Sequence, residues 1–401
     1  MAEDLPLHPG GDASPWVLVV DSGTGQNRSA LAAVRALSEA GYRPAVTVCG
    51  RPGLAAVSRY CQRVVLTPRV DRPEFASAIR TEMSSRDYLG MMAASDAALV
   101  ALSAPGARLT NKTHLALVAE RVGLRTPHQL MFDDARSLVA AAPELSYPVV
   151  VKPSEKAGMM HRQARRFDSA AALAVYGDAA GAFVVQPYVD GEMHSVAGVM
   201  WNGRLVFALH QRHLRIWPAV CGDACAAVTT PLGNALFERV EQLLAGYSGV
   251  FQVEFVDDYL LDVNPRVYGS MEMASAVGTN LAGLYWGLVR GEMGEGAPRP
   301  TTARVGVSYC WWEGDARHLA SAWREGAVSG REAVAALIRG AAPAALAELA
   351  HDPRPFVSRL RYAASMLHRK RLAAPPSPVA ASFDPHALND GSSPPEHGRA
   401  A

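Results

Sequence analysis

Short apolar runs separated by polar turns dominate the first hundred residues. Trp16–Asp21 (WVLVVD) is a continuous apolar run of buried-strand type, closed by Ser22-Gly23-Thr24-Gly25. Leu31, Val34, Arg35 and Leu37 then set a helical period from about Arg28 to Ala40, and Gly41 ends it. Ala45–Cys49, Val64–Thr67 and Tyr88–Ala94 read as further strands with helical segments between them. Strands alternating with helices predict βαβ units and a parallel sheet. Gly23 and Gly25 supply two glycines of a dinucleotide fingerprint, but Arg28 occupies the third position. The turn therefore reads as a tight βα connection rather than a phosphate cradle.

The pattern changes near Ser103–Thr110. Lys112–Gly123 (KTHLALVAERVG) predicts a helix, and Val149–Lys152, Phe183–Gln186, His194–Met200, Leu205–His210, Val250–Val256 and Leu260–Val263 predict an antiparallel-rich α+β region. Helices at about Ala170–Tyr176, Pro231–Leu244 and Met271–Arg290 separate those strands. After Ala297 come a Pro-flanked link, an apolar segment (Val305–Trp312) and helical stretches to about Leu367. Residues 1–15 are expected to be loose. Residues 371–401, rich in Pro, Ser and Gly, lack the apolar surface to offset ordering and read as a disordered tail.

Composition narrows the class only modestly. The 401 residues, 49% hydrophobic and 19% charged with a formal charge of +1, suit a globular protein and give no basic surplus for nucleic acid. Five cysteines at irregular spacing make no disulfide framework, and Cys221 and Cys225 lack a second pair for zinc. With neither a secretory n- and h-region nor an uninterrupted apolar run of roughly 18–20 residues, a cytoplasmic, reduced location off the membrane is expected. Only four of the 39 basic residues are lysines, and Lys112, Lys152 and Lys156 fall close together. An ammonium is a compact point charge that Arg copies poorly.

The strongest local signal is Glu254-Phe-Val-Asp-Asp-Tyr-Leu-Leu-Asp262-Val-Asn264-Pro-Arg266. Two apolar strands joined at Asp257-Asp258 form a hairpin, with Asp262 and Asn264 on one face and Glu254 across from them. Two carboxylates and an amide oxygen suit Mg2+, which takes few protein ligands alongside substrate phosphates. Lys152 ends an apolar strand beside a small-residue loop, a common way to hold a nucleotide phosphate. Val184–Glu192 runs from a strand into a connector whose backbone at 187–189 could pair with an adenine edge.

In this order the pieces resemble the ATP-grasp superfamily, and within it the carboxylate–amine ligase branch that includes D-alanine–D-alanine ligase and carbamoyl-phosphate synthetase. The resemblance implies an α/β and α+β chain: a Rossmann-like pre-grasp domain (16–108), then an ATP-grasp core (109–297), then an accessory helical region (298–370). The core divides into a small lid (109–185) and a larger subdomain (186–297). It implies that Lys112 and Lys152 contact phosphates and that Gln186 lies beside the adenine amino group. Pro187, Tyr188 and Val189 would form the hinge, Glu192 would take the ribose, and Val150 and Leu261 would enclose the base. Glu254, Asp262 and Asn264 would be the metal ligands, with Arg266 near the transferred phosphoryl group. ATP and Mg2+, with Mn2+ as a substitute, are the implied cofactors. The partners are a small-molecule carboxylate and an amine, and a homodimer is compatible.

Two departures stand out. Asp262 stands where the bridging ligand is usually Glu, and Met159, Met160 and His161 replace glycines in the loop after Lys152. For a substrate carboxylate, the candidates are Arg266 and, in a segment (HQRHLRIWP) that resembles an arginine-rich substrate loop, Arg212 and Arg215, while Tyr268, Gly269 and Ser270 would line the acceptor pocket. His194, His210 and His213 read as structural, and Trp311 and Trp312 as core of the C-terminal piece. The implied activity joins a carboxylate to an amine through an acyl phosphate. A carboxylase or phosphotransferase on the same fold, and a nucleotide-binding regulator without turnover, are the alternatives.

Overall fold

The computed structural model describes residues 14–22, 25–154, 164–176, 181–292 and 301–373. Lys156, Met159, Met160 and His161, most of the N-terminal segment and residues 374–401 lie outside them. The chain forms two compact units, Met1–Ser358 and Arg359 onward; the second holds the C-terminal part of helix Pro353–Ala373, which continues past position 371, where the tail was expected to begin.

The predicted parallel sheet is present. β1 (Trp16–Val20), β2 (Arg43–Val48), β3 (Arg63–Leu66) and β4 (Tyr88–Ala93) pair in parallel in the order β3-β2-β1-β4. Asn27 sets its first turn. Its Oδ1 accepts from Ser29 N (2.9 Å) and Ala30 N (3.3 Å) to cap helix Arg28–Glu39, while its Nδ2 donates to Asp21 Oδ1 and Ala94 O, both at 2.8 Å. Close approach also shapes this corner, since a β-carbon on Gly53 would stand 2.6 Å from the Gly25 backbone.

A second, antiparallel sheet contains β5 (Leu130–Phe132), β6 (Val149–Pro153), β7 (Arg165–Phe167) and β8 (Phe183–Pro187) in the order β5-β8-β6-β7. Val149, Val151, Phe183 and Val185 pack on Leu138, Phe167 and Leu173, a small core of its own. Helix Lys112–Arg121 is not part of it: Leu115 and Ala119 belong to the core of the large sheet, with Val196 and Phe251. This helix, expected in the small subdomain, thus packs with the large sheet.

The large sheet runs β13-β12-β9-β10-β11-β15, with β14 added on β10. Its strands are β9 (Met193–Trp201), β10 (Arg204–Trp217), β11 (Asp223–Thr230), β12 (Gly249–Val256), β13 (Tyr259–Asn264), β14 (Thr301–Thr302) and β15 (Ser308–Cys310). One face buries Val196, Phe251, Phe255 and Val263 with helix Asn234–Leu243; the other buries Ala197, Val199 and Leu209 against helix Arg28–Glu39 and Leu281–Val289.

Some elements differ from expectation. Arg212 and Arg215 stand on a 14-residue strand, not a loop, because β10 pairs with β9 and β11 along its length. Met271–Arg290 is two helices, Glu272–Ala276 and Leu281–Val289; Gly278 at φ +94° breaks the first and Asn280 caps the second. Among the described residues one stretch, Gly330–His351, is long and apolar enough by composition to cross a membrane, contrary to the expectation of none. It is broken at Gly340 into two helices.

Arg35, read as a periodic position of its helix, ties that helix to the C-terminal region. Its Nε donates to Asp352 Oδ2 (3.1 Å), Nη2 to Glu348 Oε1 (2.9 Å) and Nη1 to Glu272 Oε1 (2.8 Å). Asp352, 1% exposed, also accepts from Ser58 Oγ at 2.6 Å and Arg59 N at 3.1 Å. Removing the cation from a buried carboxylate costs about 3–5 kcal/mol. Arg35→Met should lower the urea midpoint by a corresponding amount; a shift below about 0.5 kcal/mol would mean that solvent already screens the cluster.

Candidate functional site

The hairpin β12–β13 has the register its sequence predicts. Glu254 stands opposite Asp262, and Gln252 opposite Asn264, so four polar residues share one face of two otherwise apolar strands. Leu261 is the extra residue where the pairing shifts between Glu254 and Phe255, a bulge beside the carboxylates. Lys112, at the start of its helix and 3% exposed, donates its ammonium to Asp262 Oδ1. A lysine this deeply buried needs such a counter-ion to stay charged.

Arg266 is held on three sides. Nε donates to Asp96 Oδ1 at 2.6 Å, Nη2 to Asn264 Oδ1 at 2.7 Å and Nη1 to Val267 O at 3.0 Å. Burial opposes its charge, but Asp96 foremost, then Asp262 and Asp223, outweigh burial and raise its pKa. Asp96 follows the cap Ser95 just beyond the carboxyl end of β4, where open parallel sheets place ligand-binding groups.

From Arg266 a hydrogen-bonded chain crosses the sheet. Guanidinium only donates, so Asn264 turns its oxygen to Arg266 and its Nδ2 towards Gln252 Oε1 (3.5 Å). Gln252 Nε2 then faces the hydroxyls of Ser195 and Ser270, both at 3.4 Å. Gln211 Nε2 reaches the same hydroxyls at 2.7 and 3.2 Å, and Ser195 Oγ lies 3.2 Å from His213 Nε2. Burial pushes the His213 pKa down to about 4, so its ring is neutral at pH 7. Gln211 Oε1, His213 Nδ1 and Tyr268 Oη are buried with no hydrogen-bond partner among the described residues. Unsatisfied buried groups are rare, and two of these stand on alternate residues of β10 whose other side-chain nitrogens join this chain.

The β5-β8-β6-β7 sheet carries the remaining nucleotide candidates. Val150 pairs with Gln186, and Lys152 with Val184. Val150 and Gln186 are buried. Tyr188 N donates to Pro148 O at 2.9 Å, and the Arg166 guanidinium lies 4.3 Å from the Tyr188 ring centre. Pro187 ends β8, and Val189 lies in the connector to β9. Glu192 is fixed through its backbone, donating to Asp257 Oδ1 at 2.9 Å, and its side chain stands 3.5 Å from Arg212 Nη1. That contact draws Arg212 towards the connector. Arg215 forms a two-point ion pair with Asp315 at 2.5 and 3.2 Å; Asp315 is fully buried, so this guanidinium serves the C-terminal helix. Burial pushes the Cys221 thiol up, against the lowering field of Lys152 and Arg166.

Three residues after Arg266, Gly269 lies over Arg28. Trp311, expected in the C-terminal core, stacks on that same guanidinium, Cζ lying 3.7 Å from its ring centre. Trp312 instead donates Nε1 to Glu348 Oε2 at 2.6 Å. His194 and His210 contact each other (Nδ1 to Nε2, 3.0 Å), and His194 stacks on Phe255.

A family model described as an ATP-grasp domain matches residues 109–270. The chain carries an ATP-grasp domain. Its fold is similar to that of an L-amino acid ligase from Bacillus licheniformis (TM-score 0.51, 17% identity, 73% of this chain and 76% of that one). It is also similar to an ADP complex of N5-carboxyaminoimidazole synthetase from Staphylococcus aureus (TM-score 0.54, 12% identity, 73% and 80%). A third is a biotin carboxylase–ATP complex from Campylobacter jejuni (TM-score 0.50, 14% identity, 73% and 73%). No curated protein sequence matches the chain. Identities this low establish shared fold alone.

Asp96, Ser195, Gln211, His213 and Gln252 escaped the sequence reading as site residues. Gln252, two positions before Glu254, and Gln211 and Ser195 were visible as polar interruptions of apolar strands, whereas Asp96 stands 170 residues from Arg266 along the chain. Because the folded-state pKa of His213 lies below its ordinary 6.5, the unfolded chain takes up this proton first as pH falls. Stability is fully present above about pH 6.5 and lost towards pH 4, by up to about 3 kcal/mol. His213→Gln should flatten the melting temperature between pH 7 and 5 relative to the wild type. Parallel curves would show that His213 does not carry the dependence.

Proposed function

We propose that this ATP-grasp protein is an ATP-dependent ligase that activates a carboxylate as an acyl phosphate and passes it to an amine. The observation that carries the reading is the convergence of Lys112, Glu254, Asp262, Asn264 and Arg266 at one face of the β12–β13 hairpin. Buried cations facing carboxylates and an amide oxygen suit a triphosphate with its cation. The donor set fits Mg2+, since Glu254 and Asp262 are directly opposite and Mg2+ takes one or two carboxylates plus phosphate oxygens. Bound there, Mg2+ would neutralise phosphate charge.

The chain's own residues then position and screen. Lys112 and Lys152 draw the phosphates, and Val150, Gln186 and Leu261 surround the base with the backbone of Pro187–Val189, while Glu192 takes the ribose. Arg266, kept cationic by Asp96, faces the γ-phosphoryl group. A substrate carboxylate oxygen bonds to the γ-phosphorus as the bridging P–O bond breaks and ADP leaves with that electron pair. The amine nitrogen then attacks the acyl carbon, phosphate departs with the C–O pair, and the amine proton goes to solvent or phosphate. Tyr268, Gly269 and Ser270, beside the unsatisfied polar atoms, line the acceptor end. Placement beside the lid keeps water from the acyl phosphate.

Phosphate release measured against a panel of carboxylates and amino acids tests this. Release should require Mg2+ and both substrates. Lys152→Ala or Glu254→Gln should reduce kcat/KM by about 100-fold or more, the scale of losing one charge-stabilising group. ATP binding with no substrate-stimulated release would instead favour a regulator without turnover.

A further inference from the structure

Arg266, Arg215 and Arg28 each pair with a carboxylate, and these counter-ions distinguish them. Arg266 is bound to Asp96 and Asn264, which are 4% and 6% exposed, and Arg215 to Asp315, which is fully buried. Neither partner can leave without stranding a buried charge. Arg28 differs: its side chain is 12% exposed, but its carboxylate partner, Asp223 at 3.0 Å, is 74% exposed. An ion pair with one member so well solvated contributes about 0–1 kcal/mol, and Asp223 can rotate into water at little cost.

The rest of the setting fixes the Arg28 plane. The Trp311 ring lies on one side at 3.7 Å. A β-carbon on Gly269 would stand 2.9–3.2 Å from Nη2, Cζ and Nη1 alike, so the glycine covers a guanidinium face and admits no side chain. Tyr309 ties the same pieces together: its hydroxyl lies 3.3 Å from Arg28 Nη1 and donates to Gly269 O at 3.2 Å. The fork is thus clamped face-on and presents its edge where Asp223 now sits. Gly269, which covers the fork, stands three residues after Arg266 and next to Ser270, whose hydroxyl Gln211 and Gln252 reach, so the fork adjoins the polar chain.

We propose that Arg28 binds the carboxylate of the amine substrate, displacing Asp223, and that the acceptor is therefore an amino acid rather than a simple amine. This rests on the ligase reading. A planar fork matches a carboxylate at two points, and the acceptor's own carboxylate survives the reaction, so it can serve as a permanent handle. Arg28 is a binding residue, not a group that takes part in bond making.

The test compares kcat and KM of wild type, Arg28→Gln, Gly269→Ala and Asp223→Asn, each with an amino acid acceptor and with its carboxamide. Loss of a charge-assisted hydrogen bond, about 1.5–3 kcal/mol, corresponds to a KM increase of roughly 10–100-fold. Arg28→Gln should raise the amino acid KM on that scale and leave the carboxamide KM and the ATP KM within about twofold, and Gly269→Ala, whose β-carbon would press on the guanidinium, should also raise the amino acid KM. Asp223→Asn, removing the competitor, should lower the amino acid KM. Equal effects on acid and amide would assign Arg28 a purely structural role and overturn the proposal, as would an unchanged Arg28→Gln. In either case coupling by the wild type would leave the ligase reading standing. A wild type that releases no phosphate with any amine would remove both.

Discussion

A guanidinium largely shut off from water needs a counter-charge and partners for its other N–H groups, and Arg266 meets both constraints. Asp96 reaches it from the carboxyl edge of the parallel sheet, and Asn264 from the hairpin of the ATP-grasp domain. That geometry fixes which way the Asn264 amide points, and through it the orientation of Gln252 and the hydroxyls of Ser195 and Ser270. One charge therefore orders a polar chain across the sheet. The cost of leaving any buried member unsatisfied is what keeps the chain in a single arrangement.

Lys112 and Asp262 obey the same rule at the other end of the hairpin. Each neutralises the other where neither could stand alone in so dry a place. In the proposed reaction a triphosphate and its cation arrive together, so the lysine gains an anion as the carboxylate gains a cation. The site exchanges one balanced set of charges for another, and no step exposes an unpaired buried ion. Among Arg28, Arg215 and Arg266, only Arg28 pairs with a well-solvated carboxylate, and in the proposal it is that guanidinium which takes a ligand.

Much of this was legible along the chain because it is local. Period-2 alternation in the segment from Glu254 to Asn264 is enough to align Glu254, Asp262 and Asn264, and the apolar run before Lys152 places it at a strand end. Strand β11 (DACAAVTT) was missed because small residues carry little strand preference; its neighbours β10 and β15 impose the conformation. The break at Gly278 was missed because the apolar pattern continues on both sides of it. Asp96 and Arg28 were beyond reach for a different reason. Each meets its partner across well over a hundred residues, and nothing in local spacing records which of 35 arginines a fold will bury.

The central claim is that the chain's buried cations and carboxylates serve the transfer of a γ-phosphoryl group to a carboxylate. Oxygen tracing tests it without any mutation. With the substrate carboxylate labelled by 18O, turnover should deliver one 18O atom into each phosphate released, because the acyl phosphate forms through that oxygen and breaks at the acyl carbon. Phosphate free of label, with its new oxygen drawn from water, would contradict the account.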